Sequence, residues 1–304
     1  MEDDSLQSGL DSARAARGPS AVDAPLPPGS GRMWLEGRYR GALERAGLAT
    51  FEQVMAARHG QCMRVVGDRE NWYLQVADAA QPGLGMYLKK HRVHTWLTRL
   101  WAGLGMPLPV SAGRREARNV ESLAALAIDV PRLVAYGEKF SANGRLESFL
   151  LTEELAGYVE LQDFVRRRFP ACARRGGARD HDLARLLRQV AGIARRFHQA
   201  GYNHRDFYSC HFLTKELAPG QFDIRLIDLQ RMQRRRWFRR RWIVKDLAQL
   251  AHMLSSADCL SCRDKLAFMR HYLGVRKLAA ADKRLIRSVL RKQAFIERHE
   301  RRWR

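Results

Sequence analysis

The chain has 304 residues, 46% of them hydrophobic, with 54 Lys and Arg against 32 Asp and Glu, a formal net charge of +22. Such a composition can bury a sizeable core in one large domain or two lobes, which excludes a chain disordered as a whole; the charge draws in nucleic acid, anionic lipid or a phosphorylated substrate without choosing among them. Five cysteines, an odd and sparse set, exclude a disulfide framework and favour a reducing compartment with the cytoplasm as default, while the lack of any run of about eighteen apolar residues and the acidic start "MEDDSLQSGL" argue against a membrane span and a secretory signal.

Residues 1–32 pass through "SARAARGPSAVDAPLPPGSG" without helical or strand periodicity and read as a flexible leader outside the fold. The runs "QCMRVV" (61–66) and "NWYLQVA" (71–77) flank "GDRE" and predict a hairpin, and "GMYLKKH" (85–91) predicts a third strand. Over 91–110, Trp96, Leu97, Leu100, Trp101 and Leu104 fall on one helical face with basic residues nearby. That helix either rests on an anionic membrane surface or packs against its own lobe. "EARNVESLAALA", from Glu116 to Ala127, has helical spacing, and "RLVAYGE" and "ESFLLTEEL" read as strands.

The second half reads mainly helical: "ELQDFVRRRF" at 160–169, "HDLARLLRQVAGIARRFHQAG" with Gly201 as its stop, "IVKDLAQLAHMLSS", and a basic helix over 282–303. The motif "GYNHRDFYSCHFL" (201–213) and the strand "FDIRLIDL" lie between the second and third of these. Cys259 and Cys262 form a lone C-x-x-C; without a second pair it reads as structural or incidental.

Phosphoryl transfer needs a lysine for the nucleotide phosphates, a carboxylate to fix it, a second carboxylate to take the proton of the attacking hydroxyl and a third to hold Mg²⁺. Lys89 ends "MYLK" on a strand, Glu116 opens the next helix, Asp206 lies in "HRDFYSCH" just after a long helix, and Asp228 ends the apolar strand "IRLID". Each residue alone reads as a surface charge; the four in this order carry the signal.

Through "YLKKH", "RREARNVESL", "VAYGE", "SFLLTEEL", "NHRDFYSCHFL", "LIDLQR" and "RRWIVKDL", the chain resembles the protein-kinase-like fold and, within it, the lipopolysaccharide core heptose kinases of the Kdo/WaaP type. The resemblance covers most of residues 60–255. It implies an α+β, two-lobed fold, with a small β-rich N-terminal lobe over 33–156 and a mainly helical C-terminal lobe over 157–304. It also implies ATP and Mg²⁺ as cofactors and a lipopolysaccharide inner-core sugar, a heptose first, as acceptor.

In that likeness Asp206 is the general base, Asp228 the Mg²⁺ ligand, Lys89 the phosphate-binding lysine and Glu116 its partner, while Asp246 in "VKDLAQL" braces the catalytic loop. Backbone groups from Glu153, Glu154 and Leu155 to Ala156 would face the adenine, by fold analogy alone. The likeness further suggests acyl carrier protein as an acidic partner and a peripheral place at the cytoplasmic face of the inner membrane. Kdo, a protein or an aminoglycoside-like molecule would use the same cleft as alternative acceptors.

Two departures stand out from ordinary protein kinases. No G-x-G-x-x-G precedes Lys89, so the 61–76 hairpin would cover the phosphates by less regular contacts, and Asp228-Leu229-Gln230 lacks the glycine that permits a large backbone flip. His211 stands where the loop asparagine is expected. An imidazole is a poor Mg²⁺ ligand, so it either hydrogen-bonds Asp206, a metal-bound water or a phosphate oxygen, or simply supports the loop.

The run "RMQRRRWFRRRW" (231–242) holds seven arginines directly after Asp228. Arg231, Arg234, Arg235 and Arg236 would meet the phosphates and carboxylates of the acceptor. A solvated basic face is the plainer alternative, and nucleic-acid binding with Trp237 and Trp242 as stacking platforms is a third that the position beside the catalytic loop disfavours.

Overall fold

A computed structural model of the chain describes residues 25–77, 83–108, 110–170, 178–255 and 260–301. The chain divides into two compact units. One runs to Ala125 and resumes over Pro131–Glu154; the other comprises Leu126–Val130 and the residues from Leu155 on. Most of the expected leader, residue 109 and Cys172 and Cys259 lie outside the described residues, and with Cys259 so does the C-x-x-C reading.

The first unit is built on a six-stranded antiparallel sheet. In chain order its elements are β1 (Ser30–Leu35), α1 (Arg40–Arg45), α2 (Phe51–Ala56), β2 (Gln61–Val66), β3 (Arg69–Val76), β4 (Leu84–Val93), α3 (Trp96–Gly103), α4 (Ala112–Ala124), β5 (Leu133–Phe140) and β6 (Leu146–Glu153). The sheet order is β1-β5-β6-β4-β3-β2. Strand β1 begins ahead of the expected leader boundary at residue 33, and Leu26 before it is buried with Phe140 and Leu146. An apolar side chain with a pocket to fill orders this end of the leader.

Side chains alternate across a strand, and the alternation separates two neighbouring lysines. Met86, Leu88 and Lys90 face a core that contains Leu43, Val54, Trp72 and Leu74. Lys90 is fully buried there, its ammonium donating to the carbonyls of Met55 and Ala57, and burial pulls its pKa down to about 8. Lys89 points to the opposite face of the sheet, the side that α4 packs on.

Helix α4 starts four residues ahead of the expected Glu116, because Ser111 caps it by accepting the Arg114 N–H at 3.2 Å. Ala117, Val120 and Leu123 form its buried stripe. Gly113 lets it come close: a Cβ there would lie 2.5 Å from the Phe149 carbonyl oxygen on β6.

The second unit is mainly helical, with α5 (Leu161–Arg168), α6 (Ala178–Gln199), α7 (Arg239–Ser255), α8 (Cys262–Leu273) and α9 (Ala280–Arg301). Three small strands, β7 (Val159–Glu160), β9 (Phe212–Ala218) and β10 (Gln221–Leu226), form one sheet, and β8 (Tyr202–Asn203) pairs with β11 (Gln233–Arg234). Leu183, Leu187, Val190, Ala194 and Phe197 bury one face of α6, and Gly201 follows its end at φ +87°. Helix α7 reaches back to Arg239, so the last arginines of the basic run are helical. An apolar cavity of about 300 Å³ lies among α6, α7, α8 and α9, lined by Leu187, Leu250, Leu254, Met269, Val289 and Leu290. Among the described residues no helix is long and apolar enough to cross a membrane.

Candidate active site

In the first unit, Lys89 on β4 and Glu116 on α4 form an ion pair with Nζ and Oε1 2.6 Å apart. Strand alternation turns the lysine toward the helix, and Glu116, one residue before the apolar position Ala117, sits on the helix's sheet-facing side. The carboxylate is almost wholly buried and the ammonium one-quarter exposed. A lysine fixed this way has its charge and direction set before any anion arrives.

In the second unit the motif loop and the end of β10 are tied by backbone and ring contacts. The Ile227 N–H donates to the His211 carbonyl at 2.9 Å, and His204 Nε2 donates to the Ile227 carbonyl at 3.1 Å. With Nε2 carrying the proton and the ring buried, His204 is held neutral, its pKa pushed down to about 4 chiefly by burial and next by the neighbouring His211. The two imidazoles stack, ring centres 5.4 Å apart.

His211 lies between the two aspartates proposed for chemistry. Its Nδ1 donates to the main-chain carbonyl of Asp206 at 2.6 Å, and its Nε2 lies 3.7 Å from Asp228 Oδ2. A carbonyl only accepts, so Nδ1 carries a proton. Of the readings held open for His211, the contact with Asp206 exists, to its backbone rather than its carboxylate.

Helix α7 supports the loop from below. Buried Asp246 accepts the N–H groups of His204 (2.9 Å) and Arg205 (3.1 Å), and Gln249 one turn on accepts the Phe207 N–H at 3.3 Å. Asp246 thus makes the bracing contacts that the likeness implied. Lys245 donates to the Arg205 carbonyl, and burial lowers its pKa. Of the four non-glycine residues with left-handed backbone among those described, Arg205 (φ +73°) and Asp228 (φ +55°) lie in these two loops. Such strain persists where the surroundings fix it, and it clusters at sites of function.

The arginine run is more engaged than a free anion-binding fork. Arg231 Nη1 sits 3.0 and 2.8 Å from the two oxygens of Asp206. Arg234 reaches the Ala200 carbonyl, Arg235 the Gln233 side chain, and Arg239 the His198 carbonyl, while Arg236 is exposed. Trp242 is no open stacking platform: Arg235 covers its ring at 4.3 Å, with Arg205, Arg241 and Lys245 around it. Trp237 is 80% exposed.

The expected adenine-facing stretch is also partly engaged. The N–H groups of Glu153 and Glu154 donate to Arg132 and Gly85 carbonyls, and the Leu155 and Ala156 carbonyls accept from Tyr158 and Lys215. The two N–H groups are taken up within the fold, while each carbonyl keeps a second lone pair for a base edge. The side chain of Glu153 accepts from the Tyr39 hydroxyl, and that of Glu154 from the Tyr73 hydroxyl.

Among the described residues no three His, Cys, Asp or Glu side chains converge as a metal cage. A lone carboxylate such as Asp228, 43% exposed, is the kind of ligand that suits a hard cation such as Mg²⁺, whose other ligands are commonly water and substrate phosphate, and an imidazole such as that of His211 is a poor donor for it. Lys245 and Gln249 escaped the sequence reading. Their signal was available: three polar residues, Lys245, Asp246 and Gln249, interrupt an apolar helix at i, i+1 and i+4.

The family model for the lipopolysaccharide kinase (Kdo/WaaP) family matches residues 55–272. The lipopolysaccharide core heptose(I) kinase WaaP of Pseudomonas aeruginosa is 36% identical over 222 residues, 70% of this chain and 75% of that protein. The protein of the same name from Escherichia coli K12 is 33% identical over 211 residues, 67% of this chain and 77% of that protein. A solved structure described as WaaP in complex with acyl carrier protein superposes with a TM-score of 0.64 at 29% identity, covering 89% of this chain and 98% of that one.

Proposed function

The chain belongs to the lipopolysaccharide kinase (Kdo/WaaP) family, and on that premise we propose that it transfers the γ-phosphate of ATP to a sugar hydroxyl of the lipopolysaccharide inner core, a heptose first. The observation that carries the reading at the level of residues is the convergence on His211, which holds the Asp206 backbone on one side and faces the Asp228 carboxylate on the other.

Asp206 accepts the proton of the attacking sugar hydroxyl. Arg231 leaves it able to do so, because each carboxylate oxygen has a second lone pair beyond the one a guanidinium takes. Lys89, aimed by Glu116, binds nucleotide phosphate oxygens. Asp228 supplies the carboxylate oxygen for Mg²⁺, and the ion, when bound, neutralises charge developing on the transferred phosphoryl group. His211 positions both carboxylates through the loop rather than as a ligand. Exposed Arg236 and Arg240, with Arg231 where it flanks the base, offer forks to acceptor phosphates and carboxylates.

Acyl carrier protein is the partner of the solved relative. For this chain a carrier partner is supported by the +22 charge and by the mainly apolar cavity among α6 to α9, whose lining suits an acyl chain. A lipid-linked acceptor argues for a peripheral place at the cytoplasmic face of the inner membrane.

The test is ATP-dependent phosphate transfer to purified deep-core lipopolysaccharide. Asp206→Ala and Asp228→Asn should each lower the rate by at least about a hundredfold, with melting temperature preserved in Asp228→Asn because that side chain is half exposed. Full activity in either variant removes that residue from the site.

A further inference from the structure

Helix α3 is amphipathic the wrong way round for a helix that packs on its own sheet. At 100° per residue, Trp96, Leu100, Leu104, Leu97 and Trp101 span one arc of roughly 140°. Trp96 is 71% exposed, Leu97 48%, Leu100 49% and Leu104 63%, and Met106 beyond the helix is also exposed. The buried positions are Thr98 and Ala102, which lie on the opposite side.

The small side is fixed to the unit. Ala102 packs with Leu26, Phe140 and Leu146. Thr95 and Thr98 close a capping box at the helix start. The 141–144 turn presses on the helix backbone so closely that a Cβ on Gly144 would lie 2.5 Å from Arg99 Cα. The helix is therefore held with its large apolar side chains outward, and nothing in its anchoring requires tryptophan or leucine there.

A contiguous exposed apolar face marks an interaction surface, and the surrounding charge selects the occupant. From residue 79 to residue 115 the sequence contains no Asp or Glu. On the neighbouring strand and hairpin Arg92 pairs with Glu70 and Glu147, and Arg145 with Glu147, so the outward cation at the helix is Arg99, beside His94. Arg99 is exposed, and its Nε lies 3.1 Å from His94 Nε2. Outward Trp and Leu on a cation-flanked helix match the headgroup boundary of an anionic bilayer, where indole rings settle and arginines meet lipid phosphate.

We propose that α3 and the turn after it form a docking face that seats this unit on an anionic lipid surface. The idea rests on the sugar-kinase reading in one respect: a lipid-carried acceptor brings the enzyme to a bilayer. The insertion is shallow, by one helix lying in the interface plane.

The test uses the full chain in sedimentation with vesicles of phosphatidylcholine alone or with phosphatidylglycerol added. Wild type is expected to partition onto the anionic vesicles, the Trp96→Ser/Leu100→Ser variant at least about tenfold more weakly, and Arg99→Glu more weakly with a flatter salt dependence. Thermal melting of the variants reports folding, and transfer to delipidated, soluble core oligosaccharide should stay at the wild-type rate. Equal vesicle binding by wild type and the double variant overturns the proposal, as does unchanged vesicle binding with lost capture of acyl carrier protein, which would make the face a protein-docking site. Failure of wild type on the soluble acceptor would instead count against the sugar-kinase reading and leave the vesicle comparison intact.

Discussion

Asp206 owes its position to neighbours that a motif alone does not announce. Its carbonyl is held by His211, its carboxylate by Arg231, and the N–H groups of the two residues before it by Asp246. His204 contributes by staying neutral. Its folded pKa of about 4 lies below the ordinary 6.5, so the folded loop refuses a proton that the unfolded chain accepts. That contribution is fully present above pH 6.5 and is lost as the pH falls toward 4, by up to about 3 kcal/mol. His91 in the first unit, lowered to about 4 by burial, acts in the same direction. His204→Gln, which can keep a donor for Ile227, should therefore show a shallower fall in unfolding free energy between pH 7 and pH 4.5; an unchanged slope would assign the acid sensitivity elsewhere. The motif made Asp206 and Asp228 legible in the sequence. It could not disclose that Arg231 pairs with Asp206, because an arginine run gives no sign of which members turn inward.

At the scale of elements, Lys89 was legible because strand alternation and the apolar Met86 and Leu88 separate it from Lys90. Its partner depends on the approach of α4 to β6, and Gly113 sets that distance. Gly113→Ala would push a methyl onto the Phe149 carbonyl oxygen, a backbone atom that cannot step aside, and should cost about 1–3 kcal/mol in urea unfolding. It should also weaken nucleotide binding by moving Glu116. Gly103→Ala, at the exposed end of α3 with nothing beyond its own helix within 4 Å, is the control; it should leave nucleotide binding unchanged and stability unchanged or slightly raised. Equal behaviour of the two variants would detach the ion pair from this packing. Other elements escaped the sequence for physical reasons. Six-residue helices such as α1 and α2 are too short to display a period, the first turn of α4 is polar and is set by its Ser111 cap, and β9 hides in the tail of the catalytic motif. Helix α3 showed its apolar face in the sequence, yet periodicity cannot tell whether such a face turns inward or outward.

For the whole molecule, the +22 charge says that the partners are anionic, and the structure divides it by use. Part is internal, as in Arg114 with Glu138; part is at the surface but paired, as in Arg231 with Asp206; part is outward, as in Arg99 and Arg236. A nucleic-acid surface would need open aromatic platforms among those cations; Trp242 is covered by four of them, while Trp237 and Phe238 stand open in the same run. The α+β, kinase-like fold was readable because its landmarks fall in one order along one chain, whereas the acceptor was not, since sugar, protein and small-molecule hydroxyls make the same demand on a catalytic aspartate. Mass spectrometry of inner-core oligosaccharide incubated with the enzyme, ATP and Mg²⁺ therefore tests the central claim most directly. One added phosphate on a heptose, absent with Asp206→Ala, is the expected result; phosphate on Kdo, or a core left unmodified while the enzyme turns over ATP on another hydroxyl, would contradict it.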